Sequence, residues 1–65
     1  MQISVNGQAR EIAAPTLQQL LEELGYDDQT VATALNQGFV RGKDRGQTRL
    51  REGDAVEIVT PRQGG

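Results

Sequence analysis

The residues that could do chemistry in this 65-residue chain are few, because it contains no Cys and no His. Disulfides, thiolate zinc sites, Cys-ligated iron–sulfur clusters and imidazole acid–base or metal chemistry are therefore excluded from it. Two carboxylate pairs remain, Glu22-Glu23 and Asp27-Asp28. Neighbouring residues on a helix point about 100° apart, so Glu22 and Glu23 do not converge on one proton. Both pairs read as solvated charge near the ends of a helix. Lys43 has Asp44 beside it and nothing to desolvate it, so it reads as loop charge rather than a nucleophile. Gly7, Gly25, Gly38, Gly42, Gly46 and Gly53 are scattered through turns. No GxGxxG or P-loop pattern precedes a helix, so no phosphate cradle is visible. Arg41, Lys43, Arg45, Arg49 and Arg51 form a local basic stretch. It reads as a mobile, solvated loop, with docking of an acidic partner as the functional alternative.

The last residues, Gly64-Gly65, carry the sharper signal. A frayed end is the plain reading. At an average glycine usage of about 7%, however, a terminal Gly pair arises by chance in roughly one chain in 200. The pair also follows closely on the last expected strand. Four residues beyond Pro61 reach about 13–14 Å when extended. Pro61 restricts the base of that tail, which lowers the cost of ordering it in a partner's grip. The reactive group of such an end is its α-carboxylate. Two glycines without side chains can thread a narrow channel and bring that carboxylate to an ATP α-phosphate. Adenylation would make it an acyl donor, and a sulfur nucleophile could then displace AMP and leave a thiocarboxylate. All of this catalysis would belong to partner enzymes.

Seven Lys+Arg against nine Asp+Glu give a formal charge of −2. A basic nucleic-acid module needs clustered positive charge for phosphate contacts, so that class is excluded. No apolar run approaches the roughly 20 residues of a membrane helix, and no signal peptide opens the chain. The expectation is one small cytoplasmic domain over residues 1–61 with a flexible tail over 62–65. Apolar residues make up 35% of the chain, enough for one thin layer between a sheet and a helix but not for an enclosed ligand pocket.

The elements that must carry the tail are legible from periodicity. Residues 1–5 alternate, with Ile3 and Val5 on one side. Asn6-Gly7 marks a type I′ hairpin turn. Residues 8–13 return as a strand, with Ile12 inward and Arg10 on the nominal core face. Ala14-Pro15 breaks it. Thr16 reads as an N-cap, with Gln19 completing a capping box. Leu17, Leu20, Leu21 and Leu24 form one helical stripe, and Gly25 is placed to stop the helix. Residues 31–35 and 39–40 read as strands separated by an Asn36-Gln37-Gly38 turn. Residues 41–49 read as an irregular loop that sends Leu50 into the core. Glu52-Gly53-Asp54 is a tight turn, and residues 55–60 form the last strand, with Val56 and Ile58 on one face and Ala55, Glu57 and Val59 on the other. A helix after the first hairpin implies a crossover and at least one parallel strand pair. The simplest packing is an α+β, five-stranded mixed sheet with one main helix across one face, the β-grasp of ubiquitin-like proteins.

Particular stretches resemble the ThiS family of sulfur carriers in thiamine biosynthesis. They are Met1-Gln-Ile-Ser-Val-Asn-Gly7, Val31-Ala-Thr-Ala-Leu-Asn36, Leu50-Arg-Glu-Gly-Asp-Ala-Val-Glu-Ile-Val59 and Gln63-Gly64-Gly65. The chain departs from that pattern at Arg41-Gly42, where many relatives carry Pro-Arg, and at Thr60-Pro61-Arg62, where the approach to the tail is usually more apolar. The resemblance implies that a ThiF-type adenylating enzyme activates Gly65 and that a sulfur-donating protein supplies sulfur to form the thiocarboxylate. A ThiG-type thiazole synthase would then receive that sulfur. Arg62, Gln63 and Gly64 would thread the partner's active site. The chain would hold no cofactor of its own; ATP is consumed by the activating partner, and any zinc would be that partner's. Nucleic acid and membrane are not among the implied partners. By the same resemblance, the sheet face away from the helix would dock the activating enzyme, with Phe39 and Val59 as candidates against ordinary core burial. Three alternatives stay open from residues alone. They are a molybdopterin-synthase small subunit, a ubiquitin-like modifier joined to lysines, and a passive β-grasp interaction module.

Overall fold

A computed structural model of the protein describes residues 1–61. Strand β1 (Gln2–Val5) turns through Asn6 and Gly7 into β2 (Gln8–Glu11). Asn6 (φ 51°) and Gly7 (φ 83°) both take left-handed backbone, as a type I′ turn requires. Strand β2 stops two residues before the expected end at Ala13. Ile12 still exchanges hydrogen bonds with Met1 at 2.8 and 2.9 Å, but the next two N–H groups leave the ladder for a side chain of the helix: the Glu23 carboxylate accepts the Ala14 N–H at 2.9 Å and the Ala13 N–H at 3.3–3.4 Å. Ile12 is buried all the same. Arg10 pairs with Ile3 in register, which puts it on the helix side, yet it is exposed. It borders an open hollow beside Leu24 and Tyr26 at the end of the helix.

Helix α1 (Leu17–Leu24) begins at Thr16, whose hydroxyl oxygen accepts the Gln19 N–H at 3.2 Å. The other half of the expected capping box runs through side chains instead: the Thr16 hydroxyl donates to Gln19 Oε1 at 3.2 Å. Gly25, at φ 83°, ends the helix. Its N–H bonds Glu22 O and the Tyr26 N–H bonds Leu21 O at 2.9 Å, a Schellman closure that satisfies the terminal carbonyls. Leu17, Leu20 and Leu21 are fully buried.

Strands β3 (Ala32–Leu35) and β4 (Gly38–Val40) form a second hairpin. Gly38 pairs with Leu35, so the turn contracts to Asn36 and Gln37, both at positive φ. Strand β5 (Ala55–Val59) alternates buried and exposed side chains as its sequence predicts. The sheet order is β2-β1-β5-β3-β4, with β5 parallel to β1 and antiparallel to β3. The expected mixed five-stranded sheet with one helix across one face is therefore present. Ile3, Val5, Val56 and Ile58 meet the helix leucines in the single core, and Leu50 enters it as expected.

Residues 41–49 depart from the expected irregular loop. Gly42–Gln47 is a 3-10 helix, and Arg45 within it is 5% exposed rather than solvated. Its Nε donates to Thr33 Oγ1 at 3.0 Å, Nη1 to Asp28 O at 2.7 Å and Nη2 to Val31 O at 2.8 Å. Thr33 Oγ1, itself buried, donates onward to Val40 O at 2.9 Å. The guanidinium thus latches the 3-10 segment to β3 and to the connection after α1, with oxygen dipoles in place of a carboxylate. Arg45→Met keeps the length of the side chain but strands these acceptors. It is expected to lower stability by about 1–3 kcal/mol, read as a shifted urea midpoint. An unmoved midpoint would show that the latch carries no load.

Candidate functional site

Strand β5 runs through the middle of the sheet and leads directly to Pro61. Two turn asparagines hold it from both sides. The Asn36 side chain accepts the Ala55 N–H at 2.9 Å and donates to Asp54 Oδ1 at 3.1 Å, while its own N–H bonds Ala55 O at 2.7 Å. Asn6 does the same further along: its Oδ1 accepts the Ile58 N–H at 2.8 Å and its Nδ2 donates to Ile58 O at 3.1 Å. The Asn6 amide therefore stands in for the next residue of β1 after the chain has turned away. It continues the ladder toward the end of β5 and satisfies backbone groups that would otherwise be open. The Glu52-Gly53-Asp54 turn anchors the other end of β5. Asp54 Oδ2 accepts the Arg51 N–H at 2.8 Å, the Gly53 N–H reaches Gln2 O at 2.8 Å, and Gly53 needs its φ of 87°. The outcome is a last strand with little freedom to move relative to the sheet.

Beyond β5, Pro61 borders a hollow of about 380 Å³ formed with Gln29, Thr30, Val31 and Ala32. Arg45 holds the carbonyls of Val31, which lines this hollow, and of Asp28, which precedes Gln29 in the chain. Arg62, Gln63, Gly64 and Gly65, the expected tail and modification site, lie outside the described residues.

The sheet face away from the helix carries both expected surface residues. Phe39 is 71% exposed and Val59 59% exposed, so neither belongs to the core. Register explains this. Ala34 sits opposite both Phe39 and Glu57, and Ala32 sits opposite Val59, so all five share the open face. The two alanines leave a shallow depression of about 140 Å³ between the larger side chains.

Of the acidic pairs, Glu22 stays in solvent as expected, while Glu23, Asp27 and Asp28 play local structural parts. Glu23 caps the chain entering the helix, as described above. Asp27 Oδ1 accepts the Gln29 N–H at 3.0 Å, and Asp28 Oδ2 accepts Gln18 Nε2 at 2.6 Å. Among the described residues, no three Asp or Glu side chains gather into a metal-binding group, and no helix is long and apolar enough to cross a membrane. The reading of 41–51 as one solvated basic stretch fails at Arg45, which is buried; Arg41, Lys43, Arg49 and Arg51 remain exposed. Sequence reasoning missed the second use of Asn6 and Asn36. An Asn before Gly, or in a turn, already has an explanation in its backbone angle, so its amide draws no notice.

The ThiS family model matches residues 3–65. The sulfur carrier protein ThiS of Thermus thermophilus is 39% identical over 61 residues, covering 94% of this chain and 95% of that protein. Among solved structures, the crystal structure of the thiamine biosynthesis protein ThiS from Geobacter metallireducens superimposes with a TM-score of 0.84 at 28% identity, covering all of both chains. The solution structure of a thiamine biosynthesis protein from the same organism gives 0.82 at 26% identity, covering all of this chain and 88% of that one. With its sequence matched from β1 onward and its sheet reproduced in those structures, the chain belongs to the ThiS family.

Proposed function

We propose that this chain is a sulfur carrier of thiamine biosynthesis and that Gly65 is the residue that carries the sulfur. The Gly65 carboxylate attacks the α-phosphate of ATP in a ThiF-type adenylating enzyme, releasing pyrophosphate. Sulfur from a sulfur-donating protein then displaces AMP, and the resulting thiocarboxylate delivers sulfur to a ThiG-type thiazole synthase. Residues 1–61 form the body, and Arg62, Gln63 and Gly64 thread the partner's active site. Phe39 and Val59 on the open face dock the activating enzyme. The chain is a cosubstrate in these reactions and catalyses none of them. ATP and any zinc are handled by the partner, and the cytoplasm is where these enzymes would meet.

The observation that carries this reading is the family match, which runs through residue 65. It favours thiazole formation over the molybdopterin-synthase, modifier and passive-module readings. The fold is consistent with it: the strand leading to the tail is fixed in place by two asparagine side chains, so the body can present an end that it does not itself process. Intact-mass measurement of the protein from its own host is expected to find a population with one oxygen replaced by sulfur at the C-terminal glycine. A terminus that stays a plain carboxylate, in cells actively making thiamine, would overturn the assignment.

A further inference from the structure

Gln2, Ser4 and Glu11 make the β1–β2 part of the open face polar, whereas its β5–β3–β4 part is an apolar patch broken at one point. Glu57 sits within it, across from Ala34, with Phe39 on the far side of that alanine and Val59 two residues along the same strand. All of them line the same shallow depression. The Glu57 side chain is exposed and forms no ion pair among the described residues. In the free chain this carboxylate is hydrated and costs nothing. Once a protein surface covers Phe39 and Val59, water leaves Glu57 as well. A carboxylate stripped of water without a counter-charge opposes binding more strongly than the few neighbouring apolar groups favour it.

Resting on the docking role proposed above, we propose that the surface of the activating enzyme that covers this face is apolar, with one arginine or lysine placed to meet Glu57, and that this ion pair selects the partner. The same carboxylate argues against a second copy of this chain as the occupant. A twofold axis through the depression would bring two Glu57 carboxylates together, and like charges in a desolvated contact are repulsive. A partner with a wholly apolar patch, or with an acid at that point, is rejected for the same reason.

The sign of one substitution decides the matter. Glu57→Leu enlarges the apolar patch, so it tightens binding if no cation faces Glu57 and weakens binding if one does, because the partner's cation is then buried alone. Binding of the full chain to its own host's adenylating enzyme is measured by calorimetry for the wild type, Glu57→Leu, Glu57→Gln, Glu57→Lys and Phe39→Asp. Glu57→Leu and Glu57→Gln are each expected to weaken binding roughly tenfold or more, and Glu57→Lys considerably further. A Glu57→Leu complex as tight as wild type or tighter overturns the ion pair. Phe39→Asp separates the two levels. If it binds like wild type, the enzyme does not dock on this face and the docking role falls. If it binds weakly while Glu57→Leu binds tightly, only the ion pair falls. Urea midpoints of all variants are expected to match wild type, since both side chains are exposed. Self-association of the wild-type chain through this face, seen by sedimentation and lost in Phe39→Asp, would also count against the proposal.

Discussion

Deletion of Gly65 is expected to abolish ATP–pyrophosphate exchange by the activating enzyme while leaving the urea midpoint of the chain unchanged. The two halves of that result have separate physical causes. Removing one residue draws the terminal carboxylate back by about 3.3–3.6 Å along an extended tail. Reacting atoms must approach to roughly 3–3.5 Å, and a misplacement of about 1 Å already costs on the order of 100-fold in rate. A displacement several times larger leaves no attack on the phosphate, even though another glycine, Gly64, now ends the chain. Stability is set elsewhere. The buried apolar residues run from Ile3 to Ile58, and the strand pairing that fixes β5 ends at Val59, opposite Ala32. Wild-type exchange by the shortened chain would show that the terminal glycine is not the acceptor of AMP. Lost exchange with a lowered midpoint would show instead that the tail is part of the folded body.

The parts of this molecule that were legible in the sequence are those in which one residue type has one dominant use. The leucine stripe from Leu17 to Leu24, the Gly25 stop and the alternation in β1 and β5 are of this kind. So is the side of β5 on which Val59 lies, which follows from alternation; Phe39 is named only through the family resemblance, against core burial, and the β3–β4 and β3–β5 registers are what put it on the same open face. Residues with a second possible use were misread. Arg45 lies in a run of exposed cations, and nothing in the spacing of 41–51 distinguishes it from Arg41 or Arg49. Its burial comes from three oxygen atoms contributed by residues 28, 31 and 33, which only the tertiary fold brings together. Glu23 looks like ordinary solvent-facing charge on a helix, but the chain entering the helix passes beside it with two unpaired N–H groups. Strand β2 was extended too far for the same reason. Local pattern favoured continuation to Ala13, whereas a long-range carboxylate captured the amides first. Glu57 is the remaining case. Parity put it on the outer face, where a charged residue is unremarkable, and only the register with Ala34, Phe39 and Val59 reveals that its surroundings are apolar.

Leu20→Ala is expected to lower stability by about 2–5 kcal/mol, the range for truncating a fully buried leucine to leave a cavity. Leu20 has no exposed surface and lies between Leu17 and Leu21 in the layer where the helix meets Ile3, Val56 and Ile58. A chain of this length has only about 3–10 kcal/mol of stability in total, so the loss is a large share and the variant should be measurably unfolded near physiological temperature. Glu22→Ala, one turn-face away in solvent, serves as the control and should stay within about 0.5 kcal/mol of wild type. An unchanged urea midpoint for Leu20→Ala would mean that the helix stripe is not core. The same variant also separates the roles of body and end. Leu20 faces the helix layer, on the opposite side of the sheet from Phe39, Val59 and Glu57, and it touches nothing that the activating enzyme would contact. At a temperature where the variant is still folded, the exchange rate per folded molecule should therefore equal that of wild type. A lower rate per folded molecule would mean that the helix layer takes part in recognition, and that the body does more than hold one strand in position for its partner.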